Sequence, residues 1–211
     1  MVQIGANDGY TGDPFYYQVM RNKNWKVVFV EPVPYLFEKL QNNYPSNPRF
    51  RFENTAINDG SRQVFYFVPE TAAIEHNLPK GYDQMGSFVK GILTESFNGI
   101  LTPYIQEIEI SGKTLNQLFT EYAINNLKLL LIDAEGYDWK ILSQLDLSVQ
   151  KPVVINFEHY HLQDSEKTEA ISFLNNDYLI FEFGADYLCI RKENFKQRDL
   201  NKLKGRIKNR Y

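Results

Sequence analysis

Residues 1–9 read Met1-Val-Gln-Ile-Gly-Ala-Asn-Asp-Gly9, and residues 26–33 read Lys26-Val-Val-Phe-Val-Glu-Pro-Val33. The first stretch is a short apolar strand running into a glycine turn. The second is an apolar strand with a carboxylate, Glu31, at its carboxyl end. Strand, glycine turn, helix and second strand form the opening unit of nucleotide-binding α/β folds. There the turn lets backbone approach a ligand, and a carboxylate about 20 residues on accepts hydrogen bonds from ribose hydroxyls. The pair points to a nucleoside-containing cofactor bound near Gly5–Gly9 and Glu31.

Charge and spacing narrow the cofactor. A dinucleotide site asks for Gly-x-Gly-x-x-Gly, whose middle glycine clears room for a pyrophosphate at a helix amino terminus. Here Ala6, Asn7 and Asp8 lie between Gly5 and Gly9, and Asp8 would repel a pyrophosphate. An acidic, amide-bearing turn suits a ligand with a cationic end, such as S-adenosylmethionine with its sulfonium and amino groups. The structural alternative is that Gly5 and Gly9 are ordinary turn glycines.

Outward from this unit, 211 residues with 43% hydrophobic content are enough for one well-buried α/β core. The single cysteine, Cys189, excludes an internal disulfide and lies in the apolar run Tyr187-Leu-Cys-Ile190. No secretory signal and no apolar run of membrane-spanning length is visible, so the expected location is cytoplasmic. Residues 191–211 carry nine Lys/Arg against Glu193 and Asp199, a net +7, so the remaining chain carries −10 of the total −3. Such a tail can attract nucleic acid or an acidic surface, but it fits equally a solvated terminal helix beside an acidic body.

The pattern predicts strands at 2–4, 26–31, 47–57, 63–68, 105–110, 127–132, 153–157, 178–183 and 187–191. Helices are expected at 14–21, 35–43, 114–122, 138–145 and 165–175, with an irregular stretch at 69–103 that covers a binding site. Alternation of strand and helix argues for a parallel sheet covered on both faces, with the last two strands as an antiparallel edge hairpin. The expected division is one domain over 1–190, containing the 69–103 insertion, followed by a basic tail at 191–211.

The strands repeatedly end in polar groups: Asn7 with Asp8, Glu31, Asn54, Asp133 with Glu135, and Glu158 with His159. Open α/β sheets bind ligands in the crevice outside the carboxyl ends of their strands. Helix capping by Asp and Glu is the plainer explanation and serves for Asp133 or Asp138 alone. It explains poorly why Glu31 precedes Pro-Val-Pro and why Glu158 adjoins a Glu-His-x-His cluster.

In this order the motifs resemble those of the FkbM-type S-adenosylmethionine-dependent methyltransferases. The resemblance rests on Val2–Gly9, Val28-Phe-Val-Glu-Pro-Val-Pro34 and Asn54-Thr-Ala-Ile-Asn-Asp59. It continues through Lys113-Thr-Leu-Asn-Gln-Leu-Phe119, Leu131-Ile-Asp-Ala-Glu-Gly-Tyr-Asp138 and Phe157-Glu-His159. It implies a class I methyltransferase fold: a seven-stranded, mostly parallel, Rossmann-like sheet with one antiparallel strand near its edge. It also implies methyl transfer to a hydroxyl oxygen of a sugar or another secondary metabolite.

Carried over by position, Gly5, Asn7, Asp8 and Gly9 form the turn around the methionine part of the cofactor. Glu31 with Pro32 holds the ribose, and Asn54 and Ala56 border the adenine. Ser87 belongs to a mobile segment, and Asp133 faces the amino group or the reaction centre. Family members commonly carry a helical segment ahead of the first strand. Here the strand begins at Val2, so the expectation is a trimmed chain or a more open site.

A hydroxyl acceptor benefits from a general base, and His159 is the first candidate, with Glu158 or Asp133 orienting it or acting directly. His161 and His76 are weaker candidates. Asp133, Glu135, Asp138 and the histidines are residue types that bind divalent metals, yet nothing in their spacing demands one, and no metal is expected. Tyr82, Phe88, Phe97 and Tyr104 could stack on an acceptor ring or simply pack the insertion. The acidic body disfavours nucleic acid as a partner. Three rivals remain: a non-catalytic cofactor-binding module, a nicotinamide oxidoreductase, and an RNA methyltransferase that grips phosphates with its tail.

Overall fold

In the computed structural model, which describes residues 1–196, β1 (Val2–Ile4) is an interior strand, third in a seven-stranded sheet. It pairs in parallel with β2 (Val27–Val30) on one side and with β7 (Leu129–Ile132) on the other. Beyond β2 lies β3 (Phe50–Glu53), and beyond β7 lies β8 (Val154–Glu158), all parallel. The antiparallel strand β10 (Asp186–Arg191) then joins β8 to the edge strand β9 (Tyr178–Phe183), completing the order β3-β2-β1-β7-β8-β10-β9. In order of appearance within this sheet, that is 3-2-1-4-5-7-6.

Side-chain alternation gives the sheet two covered faces. Val27 and Phe29 pack with Val19 of α1 (Tyr16–Arg21) and Leu40 of α2 (Pro34–Asn43). On the other face Val28 and Val30 join the large cluster that includes Leu118 of α5 (Leu115–Glu121), Ile141 of α6 (Asp138–Leu142) and Leu174 of α7 (Asp164–Leu174). Burial on both faces is why β2 and β7 are apolar runs and not alternating ones.

Two expectations are corrected. The single strand predicted over 47–57 is broken at Asn54-Thr55. The Asn54 amide donates to the carbonyls of Glu31 and Pro32 (2.8 and 3.1 Å), and the Thr55 hydroxyl donates to the Ser111 carbonyl (2.6 Å). These bonds turn the chain out of the main sheet, so that β4 (Ala56–Ile57) joins a second, three-stranded sheet with β5 (Arg62–Phe67) and β6 (Gln106–Lys113).

The stretch 69–103, expected to be irregular, carries α3 (Glu70–His76), α4 (Lys90–Glu95) and 3-10 turns at Tyr82–Gln84, Ser96–Gly99 and Thr102–Tyr104. It has its own small core of Val68, Ala72, Leu93 and Leu101, with Tyr82, Phe97 and Tyr104 packed against it. These helices are too short to leave a periodic signature. Among the described residues, no helix is long and apolar enough to cross a membrane. Most of the basic tail, from residue 197 onward, lies outside the described residues.

Candidate active site

The carboxyl ends of β1, β2, β7 and β8 open on a cleft of about 460 Å³, within the usual range of small-molecule sites. Among the described residues its wall contains seven carboxylates (Asp13, Glu31, Asp83, Asp133, Glu135, Glu158 and Asp186) and no Lys, Arg or His. The insertion supplies part of the wall through Asp83, Gln84, Gly86 and Phe88. It is tied down by the Asn7 amide donating to the Asp83 carbonyl (2.9 Å) and the Gln84 amide donating to the Thr11 carbonyl (3.2 Å).

On the β1–β2 side Asp13 and Glu31 are both engaged, Asp13 accepting from the Gln3 amide (3.1 Å) and the Phe15 N–H (2.6 Å). Glu31 accepts from the backbone N–H of Asn7 and of Val33, each at 2.8 Å. Each oxygen thereby keeps a second lone pair for a hydroxyl donor. Burial pushes Glu31 up to about 7, against the downward pull of those two N–H groups. Gly5 has φ +73, and a Cβ there would stand 1.7 Å from the Asp133 carbonyl oxygen, so the close approach of the two strand ends requires glycine.

Asp8 and Gly9 do not line the cleft. Asp8 points into the turn and accepts from the Tyr10 and Thr11 N–H groups and the Thr11 hydroxyl (2.6–2.8 Å). Gly9 lies over Leu40 and Tyr44, where a Cβ would clash at 2.4 and 2.8 Å. Both build the loop that places Gly5, Ala6 and Asn7 on the wall.

The β7–β8 side is built differently. Asp138 braces the turn after β7, its carboxylate accepting from Ala134 and Gly136 N–H at 3.3 and 3.2 Å. This holds Glu135 in left-handed backbone at φ +47. Burial pushes Asp138 up to about 7. Asp133 is exposed into the cleft while protein surrounds it on its other sides, and its side chain makes no hydrogen bond among the described residues. Burial first, then the charges of Glu135 and Asp138, holds it well above the usual carboxylate range. Glu158 is raised by burial and by Glu135. Glu135 Oε2 and Glu158 Oε2 are both buried without a hydrogen-bond partner. Ligand atoms of Glu135, Glu158 and His161 lie within 4.8 Å of one another. Two like unit charges at that distance repel by about 3 kcal/mol at an effective dielectric of about 20, so this corner favours a proton or a cation.

Of the residues expected at the site, Gly5, Asn7, Glu31, Pro32, Ala56, Asp133 and Glu158 line the cleft. Asn54 stands behind the wall, holding the end of β2. Ser87 is fully buried, and its hydroxyl donates to the Glu135 carbonyl (2.6 Å), tying the insertion to the turn after β7. His159 does not line the cleft; it stacks on Tyr187 with ring centroids 4.1 Å apart. His76 stacks on Tyr104 in the insertion, and Phe88 is the only one of the four expected aromatics on the wall. Sequence reasoning missed Asp186, Asn156, Asp13 and Asp83, all wall residues. A signal for Asp186 was present: an antiparallel strand begins where its parallel neighbour ends, and Asp186 is paired with Glu158.

This sheet order, with a cleft at its carboxyl edge, is that of class I methyltransferases. The chain belongs to the methyltransferase FkbM domain family, whose model matches residues 3–188. It is therefore a methyltransferase, and the family implies a methyl donor of the S-adenosylmethionine type. No curated protein and no solved structure matches the chain.

Proposed function

We propose that the cleft binds S-adenosylmethionine and that the chain methylates a hydroxyl oxygen of a small acceptor, a sugar or another hydroxylated metabolite. The observation carrying this reading is the wall itself: seven carboxylates without a basic side chain among the described residues, with Glu31 at the end of β2. That donor set fits a cofactor bearing ribose hydroxyls, a sulfonium and an ammonium, and it repels a pyrophosphate or an RNA backbone. Glu31 receives the ribose hydroxyls, Thr55–Ile57 border the base, and Gly5–Asn7 run along the methionine portion.

When bound, the cofactor supplies a methyl group already activated on sulfur. The protein's contribution is to align the acceptor oxygen and to take its proton. Asp133 is the residue we assign to the proton: its carboxylate faces the cleft without a hydrogen bond, and its raised affinity for protons brings it toward a working general base. His159, which packs on Tyr187, is not assigned that role. Phe65 and Phe88 give the acceptor an apolar surface. The domain comprises residues 1–190, with 69–103 serving as the acceptor-side wall.

Calorimetric titration with S-adenosylhomocysteine, beside NAD as control, tests the cofactor assignment. Saturable binding of the former alone is expected; binding of NAD, or of neither, overturns it. A panel of hydroxylated sugars and metabolites with methyl-labelled donor then tests the acceptor class.

A further inference from the structure

The reading above gives no part to the corner formed by Glu135, Glu158 and His161. We propose that these three side chains hold one divalent transition-metal ion of the manganese or zinc type at the cleft wall. Three observations carry this. One ligand atom from each residue falls within a 4.8 Å triangle, and its His161 Nε2–Glu135 Oε2 edge is 3.2 Å. Ligands about 2.1 Å from one ion stand roughly 3.0–3.4 Å apart at octahedral or tetrahedral angles, so that edge is already at coordination spacing.

Second, Glu135 is only 8% exposed, and its Oε2, like that of Glu158, is buried without a hydrogen-bond donor. Buried carboxylate oxygens need a donor or a cation, and a ligand atom of each of these residues lies within 4.8 Å of a His161 ring nitrogen. Third, among the described residues no Lys or Arg lines the cleft, whereas Asp133 and Asp186 add further negative charge beside the trio.

The scaffold supports the site from both directions. The Ser87 hydroxyl and the Asp138 carboxylate fix the turn that carries Glu135, and the segment bearing His161 lies directly against that turn at Gly136. One imidazole nitrogen with two carboxylate oxygens is a borderline donor set. It suits manganese, iron(II) or zinc better than calcium, which takes oxygen ligands, or copper(I), which takes thiolates. Glu135 and Glu158 also line the cleft, so an ion held by them would stand beside a bound acceptor, where it would lower the proton affinity of a hydroxyl and ease the task assigned to Asp133. That catalytic use rests on the proposed methyl transfer; binding of the ion does not.

The test is titration of the full chain, freed of metal by chelator, with MnCl2, reading the electron paramagnetic resonance signal of free aqueous manganese. One ion per chain should disappear from that signal. His161→Ala and Glu158→Gln should each weaken binding at least about tenfold, the least expected for a lost ligand when residues behind ligands already cost that much. Thermal melting and S-adenosylhomocysteine titration of the same variants separate a lost ion from a lost fold, and Glu158→Gln, being nearly isosteric, keeps the test alive if His161→Ala does not fold. A signal that tracks total manganese in the wild type overturns the site. So does wild-type affinity in both variants, which would leave a simple His161–Glu135 ion pair. Displacement of manganese by a roughly tenfold excess of MgCl2 would overturn the transition-metal assignment. Normal S-adenosylhomocysteine binding without manganese binding would reject the metal and leave the cofactor reading standing.

Discussion

Two turns face each other across the cleft, and they are finished to different degrees. After β1, Asp8 accepts three hydrogen bonds within its own loop and Glu31 accepts two backbone N–H groups. After β7 and β8, Asp133 makes no side-chain hydrogen bond among the described residues, and Glu135 and Glu158 each keep a buried oxygen that accepts no hydrogen bond, that of Glu135 having only the His161 imidazole at 3.2 Å. A carboxylate that is already bonded is oriented before a ligand arrives, so the first turn is a rigid cradle. One that is buried and unsatisfied costs about 1–3 kcal/mol or more to maintain. The second turn therefore holds free energy that only an incoming proton, cation or donor group releases. On the function proposed above, recognition falls to the β1–β2 side and reaction to the β7–β8 side.

The comparison breaks most sharply at Asp133. Asp133→Asn should lower turnover by about 10²–10⁴-fold, the range of a lost general base, and leave S-adenosylhomocysteine affinity largely intact. A variant that loses cofactor binding but keeps turnover at saturation would move Asp133 to the recognition side. Next in size is Gly5→Ala, which sets a Cβ 1.7 Å from the Asp133 carbonyl at φ +73. Overpacking and backbone strain together should cost about 2–4 kcal/mol in urea unfolding. An unchanged midpoint would show that the two strand ends are not locked together.

On the recognition side, Glu31→Ala should weaken S-adenosylhomocysteine binding by about tenfold or more, the scale of hydrogen bonds to a charged group. The same residue gives a pH signature. Its carboxyl rises from 4.5 to about 7 on folding, so between those values the folded chain binds more protons than the unfolded one. Glu31's stabilising contribution is thus complete below about pH 4.5 and is lost as pH rises toward 7, at up to about 1.4 kcal/mol per pH unit. Asp138, raised to about 7 as well, acts in the same direction. Urea midpoints across this window should fall with rising pH, and less steeply in Glu31→Gln. Cofactor affinity should rise over the same window, since ribose hydroxyls donate to the ionised group; a flat affinity profile would detach Glu31 from the ribose. The smallest effect is expected at His159: His159→Phe should turn over within about twofold of wild type, as for residues away from reacting groups. A large kinetic loss at constant stability would return His159 to the mechanism.

Much of this was legible because burial leaves a direct trace. Strands β2 and β7 are apolar runs and β1 and β8 are mostly apolar, and the residues that end them fall on one edge by the logic of a parallel sheet, so Glu31, Asp133 and Glu158 could be named from the sequence. His159 shows where the reading stopped short. Successive side chains of a strand point to opposite faces, so if Glu158 meets the cleft, its neighbour points away from it. The break at Asn54-Thr55 was not legible, because it is made by side chains reaching carbonyls of β2 and of Ser111, partners remote in sequence. Asn54, Ser87 and Asp138 belong to the motifs yet act on backbone, as braces for the wall. Motif matching locates such residues and leaves their role to geometry.

The place of β1 inside the sheet, between β2 and β7, has a consequence for the newborn chain. Its register joins Val2 to Val28 on one flank and to Leu130 on the other. At translation speeds of about 5–20 residues per second, the second partner emerges of the order of ten seconds after the first. Through that interval the β1–β2 pair presents an open apolar edge, a template for strand exchange with a neighbouring chain. β1 is thus the first strand of its sheet to be made and among the last to be flanked on both sides, and the interval before β7 arrives is when a ribosome-bound chaperone has most to shield.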